Sequence, residues 1–150
     1  MALGIGLARR MTYRFSDDTA DMDRAWIHAW LSEQSYWARG RTRETHDRAM
    51  DNSRNFGLFD TDTGAQVAYA RVITDTVTFG WLCDVFVTDA LRGQGVGVQL
   101  IEQVLAVLEP WGLKRVGLTT ADAHGLYARF GFGAVPNPET WMVRARDVQR

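Results

Sequence analysis

The order of apolar and polar residues along this chain predicts short strands alternating with helices. Residues 11–15 can form a first strand. Asp18 or Thr19 can cap a helix after it. On that helix Met22, Trp26, Ala29 and Trp30 recur at intervals of three and four and share one face, with Asp21, Asp23, Arg24 and His28 mostly off it. A loop over 32–41 carries Tyr36 and Trp37, and 42–50 read as a second helix with a thin apolar face. Residues 56–59 and 66–73 form a hairpin across Asp60, Thr61, Asp62, Thr63 and Gly64, a turn by composition. The segment 77–87 alternates at period two, with Phe79, Trp81, Cys83, Val85 and Val87 on one side. After Arg92 the period becomes helical. Val98, Ile101, Leu105 and Leu108 make a stripe that Pro110 ends. Residues 115–119 read as a buried strand, 123–130 as a short helix ended by Gly131, and 132–135 and 141–144 as closing strands. The predicted fold is α/β, a single domain with a mixed central sheet flanked by helices.

Bulk composition narrows the function classes. At 150 residues the chain has the length of one domain. Residues 11–145 are expected to form it, between a disordered leader at 1–10 and a short tail at 146–150. The formal net charge of −1 supplies no basic field for nucleic acid or an anionic membrane. No apolar run approaches the ~18–20 residues of a membrane span. Cys83 is the single cysteine, so no intramolecular disulfide can form. With no secretory signal pattern, the expected location is the cytoplasm. Three scattered histidines and one cysteine show no metal-ligand spacing, so no metal is expected.

The most informative segment is Arg92, Gly93, Gln94, Gly95, Val96 and Gly97, between a strand and an amphipathic helix. The first turn of a helix has unpaired backbone N–H groups and a positive dipole end, which suits a diphosphate. Glycines admit the phosphates and permit φ > 0, and Arg92 adds a fixed charge. A dinucleotide site needs G-x-G-x-x-G, and a nucleotide P-loop needs G-x-x-x-x-G-K-[ST]; the glycines here fit neither.

This turn resembles the signature [RQ]-x-x-G-x-[GA] of the GNAT superfamily of acyl-CoA-dependent N-acetyltransferases. The preceding Asp84, Val85, Phe86 and Val87 resemble the strand that leads into it. Downstream, Thr120, Ala123, Leu126, Tyr127, Gly131 and Phe132 are similar to the family's N-x-x-A-x-x-[LF]-Y-x-x-x-G-F, with threonine in place of asparagine. The resemblance covers about residues 11–144. It implies a sheet whose fourth and fifth strands splay to admit the pantetheine of acetyl-CoA. Phe86 and Val87 would then offer backbone groups, and Arg92 to Gly97 would hold the pyrophosphate. It leaves homodimerisation open.

Acyl transfer to an amine requires a neutral amine, a donor for the oxyanion and a proton for the departing thiolate. The resemblance places Tyr127 near the CoA sulfur as the acid, and a phenol of pKa about 10 keeps its proton at neutral pH. Asp84 is the candidate base or substrate anchor; similar aspartates in the spermidine/spermine acetyltransferases face the polyamine. Its alternative is a purely structural hydrogen-bonding role. His124 and His28 are weaker candidates, and Cys83 reads as a packed, inert thiol rather than a covalent nucleophile. Tyr36 and Trp37 are expected to line the acceptor pocket, for a small-molecule or peptide amine. The alternative to an enzyme is a CoA-binding sensor or regulatory module of the same fold.

Overall fold

The computed structural model describes residues 11–146. Residues 11–119 make one compact unit. Its elements are β1 (Tyr13–Ser16), α1 (Arg24–Gln34), α2 (Arg43–Asp51), β2 (Arg54–Asp60), β3 (Gln66–Thr74), β4 (Phe79–Val87), α3 (Val96–Leu108) and β5 (Arg115–Gly117). Local capping chemistry sets the helix starts. The Asp23 carboxylate accepts from the Trp26 N–H, and the Thr42 hydroxyl from the Thr45 N–H. Pro110 stands in the short 3-10 turn that follows α3.

The strands form one mixed five-stranded sheet in the order β1-β2-β3-β4-β5. The first three pairings are antiparallel and β4 pairs with β5 in parallel. Helices flank this sheet, as the α/β expectation required. One core joins Ile27, Trp30 and Leu31 of α1 and Met50 of α2 to Tyr69 and Phe86 of the sheet. On α3, Val96, Leu100, Ile101, Val104 and Leu108 are buried, and the helix packs on β2, β3 and β4.

Two features of β4 shape the region around its C-terminal end. The first is a bulge. Phe86 lies opposite Tyr69, whereas Cys83 lies opposite Arg71, so Ala70 alone faces both Asp84 and Val85. Asp84 takes the left-handed conformation at φ 53°, which only a few non-glycine residues adopt, aspartate among the commonest. The extra residue shifts the alternation by one. Phe86 thereby joins Tyr69 on the face covered by α1, while Leu82, opposite Val72, stays on the other face. The second feature is the parting of β4 and β5. Their ladder runs only from Phe79–Arg115 to Trp81–Gly117. Beyond Trp81, the β4 edge on that side carries no β5 partner.

The structure departs from the sequence pattern in five places. Asp18 caps only a 3-10 turn at Thr19–Asp21, and α1 starts after Asp23, which leaves Met22 outside the helix expected to carry it. The buried residues of β4 are Gly80, Leu82, Asp84 and Phe86, while Phe79, Trp81, Cys83, Val85 and Val87 are half-buried. Phe79, Trp81, Cys83, Val85 and Val87 do not all share one face as expected: Trp81 and Cys83 lie opposite Ile73 and Arg71, but after the bulge Val87 lies opposite Ala68, on the other face. On α3 the buried stripe is rotated from the expected one, with Val98 and Leu105 only half-buried. β5 is shorter than expected and partly exposed because it sits at the sheet edge. The expected strands at 132–135 and 141–144 do not form, and Met142 and Val143 are almost fully exposed. A period-two pattern needs a partner to become a strand, and Pro136 and Pro138 beside these segments carry no N–H to donate. The expected leader at 1–10 and most of the tail at 146–150 lie outside the described residues.

Residues 120–146 form a second, smaller unit. It contains α4 (His124–Ala128) and a 3-10 turn at Pro138–Thr140. Within it the Thr120 hydroxyl accepts from the Ala123 N–H at 3.0 Å. Threonine thus supplies at α4 the oxygen acceptor that an asparagine would. Gly131, at φ 86°, turns the chain after α4 so that the Phe132 N–H reaches the Tyr127 carbonyl at 3.3 Å.

Leu100 is fully buried and ties α3 to the sheet. Leu100→Ala is expected to lower unfolding free energy by about 2–5 kcal/mol, measured by urea denaturation, with α3 still helical by circular dichroism.

Candidate active site

Asp84 is the centre of the site in the larger unit. It is 4% exposed, and four donors reach its carboxylate. Oδ1 accepts from Trp37 Nε1 at 3.2 Å and from Arg41 Nη2 at 3.2 Å. Oδ2 accepts from Arg41 Nη1 at 2.7 Å and from Arg71 Nε at 2.9 Å. A carboxylate has about four lone-pair positions, so this one is saturated. Burial alone would raise its pKa. The two guanidiniums oppose that and hold the carboxyl below the ordinary range. A carboxylate so held is a poor proton acceptor. The geometry therefore disfavours the base role weighed for Asp84, and no lone pair remains to anchor a substrate ammonium.

The same clamp orders the loop between α1 and α2. Trp37, fixed by Asp84, packs against Trp30 at 6.0 Å and meets Tyr36 edge-on at 4.9 Å. Trp30 stacks on Phe86 at 4.1 Å with the ring planes 4° apart. An aromatic chain thus runs from the loop to the strand end. Tyr36 is 60% exposed and Trp37 41%, whereas Trp30 is buried with no partner for its indole N–H. Phe86 and Val87, expected to offer backbone groups to pantetheine, lie on the part of β4 that β5 leaves unpaired.

The glycine turn has the geometry expected of it. Gly93 and Gly95 have φ of 75° and 77°, a region that strains any side chain, and a Cβ at either would meet no atom within 4 Å. Their need for glycine is conformational rather than a matter of packing. Gly95 caps α3 without a side-chain bond, and the first intrahelical bond runs from Gln99 N–H to Gly95 C=O at 3.1 Å. The amides before Gln99 have no intrahelical acceptor. Arg92 lies beside them, paired loosely with Asp89 at 3.2 Å and held 5.7 Å from the Trp30 ring centre. Exposed pairs of this kind contribute little, so Arg92 can exchange its partner for another anion. Gln94 is exposed and Val96 is buried beneath the turn.

The remaining candidates separate clearly. Cys83 is half-buried, and burial pushes its thiol up to about 11; it holds its proton at neutral pH and is not a ready nucleophile. His28 Nε2 hydrogen-bonds the Arg41 carbonyl at 2.7 Å and its ring lies 5.4 Å from that of His46. His46 is 1% exposed with Nε2 unpartnered, and burial, with Arg41 and His28 nearby, lowers its pKa to about 4. In the smaller unit Tyr127 is 8% exposed, with its ring 5.8 Å from Phe132. His124 opens α4. Among the described residues no group of three or more His, Cys, Asp or Glu could hold a metal ion.

Arg41, Arg71 and Trp30 were not singled out from the sequence. A signal existed for Arg71, a charge in the middle of an otherwise apolar strand. None existed for Arg41, which stands in a polar loop.

Comparison with known proteins identifies the class. The profile of the Acetyltransferase (GNAT) family matches residues 16–132. The Gibberella zeae protein FG08082, classed by name with the acetyltransferases, is 31% identical over 138 residues, covering 80% of this chain and 78% of its own. The crystal structure of a protein assigned to the GNAT acetyltransferases, from Xanthomonas campestris pv. campestris, has a TM-score of 0.85 and 41% identity. The match covers 90% of this chain and 94% of that one. Rv2747 from Mycobacterium tuberculosis, solved in complex with CoA and NLQ, has a TM-score of 0.66 over 83% of this chain and 73% of its own, and at 20% identity it shows the fold alone. The chain belongs to the GNAT acetyltransferase family.

Two tests probe the charged cluster. Asp84→Asn leaves two buried guanidiniums facing a neutral amide, and unfolding free energy should fall by roughly 3–5 kcal/mol. Because the folded-state pKa of Asp84 is lowered, its stabilisation is complete above the ordinary carboxylate pKa of about 4 and is lost as pH falls below it. The variant should flatten the stability profile in that acid range. His46 acts in a higher window. With a folded pKa of about 4 against 6.5, the unfolded chain binds the extra proton between those values, so stability falls as pH drops through them. His46→Leu should remove that slope when Tm is measured from pH 7 to 4.5.

Proposed function

We propose that this protein transfers an acetyl group from acetyl-CoA to a primary amine by direct attack in a ternary complex. The observation that carries this reading is the combination at the end of β4. A strand edge released by β5 stands in the same unit as a helix start that has open glycines, unspent amides and an adjacent arginine. Those residues fit a long ligand with a peptide-like arm and a diphosphate. Phe86 and Val87 would offer backbone groups to the arm, and Arg92, Gly93, Gln94, Gly95, Val96 and Gly97 would hold the diphosphate. The CoA bound by the M. tuberculosis neighbour supports that choice of ligand. Acetyl-CoA supplies the thioester; this chain's residues orient it and handle protons.

Tyr127 is the proposed acid, a reading that rests on its place in the family motif. Its phenol would donate to the departing sulfur. With Asp84 saturated and Cys83 protonated, neither β4 side chain takes the proton of the attacking ammonium. We assign that proton to solvent, and catalysis to orientation and protonation of the leaving group.

Tyr127→Phe keeps the ring and removes the proton. Thiol release from acetyl-CoA should fall by roughly 10²–10⁴-fold in kcat, with KM for acetyl-CoA nearly constant. An unchanged kcat would refute the assignment. Acetyl-CoA that raises Tm while no amine in a broad panel releases thiol would instead favour a CoA-binding sensor.

A further inference from the structure

Three observations around Asp84 point to the chemistry of the acceptor. The first is the saturation of its carboxylate by Trp37, Arg41 and Arg71. A polyamine or other dication finds no free carboxylate here.

The second is an excess of positive charge. Arg41 and Arg71 share one aspartate, and among the described residues no other carboxylate forms an ion pair with either. The neighbouring arginines do not release an anion to them. Arg24 is taken up with Asp47 and Asp51, and Arg43 with Asp47. His28 and His46 add no negative charge. The cluster therefore carries one unmatched cation in a half-dry setting, where an unpaired charge is costly.

The third is an excess of donors. A guanidinium has five N–H groups. Arg41 uses two, both on Asp84, and Arg71 uses two, on Asp84 and on the Ser53 hydroxyl. Arg41 is the more accessible, its side chain 17% exposed against 10% for Arg71. It stands in the loop that presents the exposed rings of Tyr36 and Trp37.

We propose that the acceptor is a primary amine that carries a carboxylate, such as an α-amino acid with an apolar or aromatic side chain, its carboxylate on Arg41 and its side chain against Tyr36 and Trp37. This rests on the acyl-transfer reading above. It assigns Asp84 a positioning role, holding Arg41 where the acceptor's carboxylate arrives. The charge balance is then complete, two guanidiniums against two carboxylates, and the substrate's amine is left free to react.

The test compares L-phenylalanine, L-leucine and L-methionine with their α-amides, which keep the side chain and amine but lack the anion, at a pH where both amines are protonated. Calorimetric titration, with and without coenzyme A, should show at least one acid binding about tenfold or more tightly than its amide. Arg41→Gln should erase that preference, so that acid and amide bind alike, and Arg41→Lys, which keeps the charge but loses the fork, should retain part of it. The lysine variant covers the case in which the glutamine variant does not fold. If no acid binds more tightly than its amide, the proposal is overturned. If an acid binds with the predicted preference but acetyl-CoA releases no thiol, the acceptor site stands and acyl transfer falls.

Discussion

A single buried carboxylate, placed in a strand bulge and shared by two arginines, holds this site together. Asp84 sits at φ 53° in a sheet position with little access to water. Both features are unfavourable alone: a left-handed aspartate strains the strand, and a buried charge loses its hydration. They persist because each supports the other. The bulge turns Asp84 toward α1 and α2, and there Arg41, Arg71 and Trp37 replace the lost water. Those partners come from a loop and a neighbouring strand, so the ion cluster also fixes the loop to the sheet.

The consequences extend along β4. The shift in alternation delivers Phe86 to the face where Trp30 lies, and their stacked rings seat α1 against the strand end. Trp30 in turn lies under Arg92 at the glycine turn. The bulge, the loop between α1 and α2 and the proposed diphosphate site are thus joined by a short run of packed rings and charges. A change at Asp84 would be felt at the loop by direct contact and at the turn through Trp37, Trp30 and Arg92.

This arrangement also separates two roles, base and clamp, that the sequence left open for Asp84. A base must be able to accept a proton at working pH, and a clamp must not. The two guanidiniums that make Asp84 a good clamp lower its pKa and so oppose its use as a base. The surplus of arginine over aspartate then gives this cluster its electrostatic sign, which the near-neutral net charge of the whole chain conceals.

What could be read from residues alone follows from how local each feature is. The glycine turn is six consecutive residues whose φ requirements and helix start are set by immediate neighbours, and it formed as expected. So did the α/β class, the hairpin through Gly64 and the helix capped by Thr42, all carried by short-range pattern. The shared face of alternate β4 residues was misread because one extra residue at Asp84 resets the alternation without altering the pattern around it. The closing strands were misread because alternation specifies a strand only when an edge is available to pair with it. The sequence by itself determined the family, the fold class and the location of the glycine turn at the start of α3. Only the tertiary structure decided the charge state and partners of Asp84, since Arg41, Arg71 and Trp37 approach it from segments 13 to 47 residues away. No local periodicity links residues so far apart, and their meeting depends on how strands and helices pack.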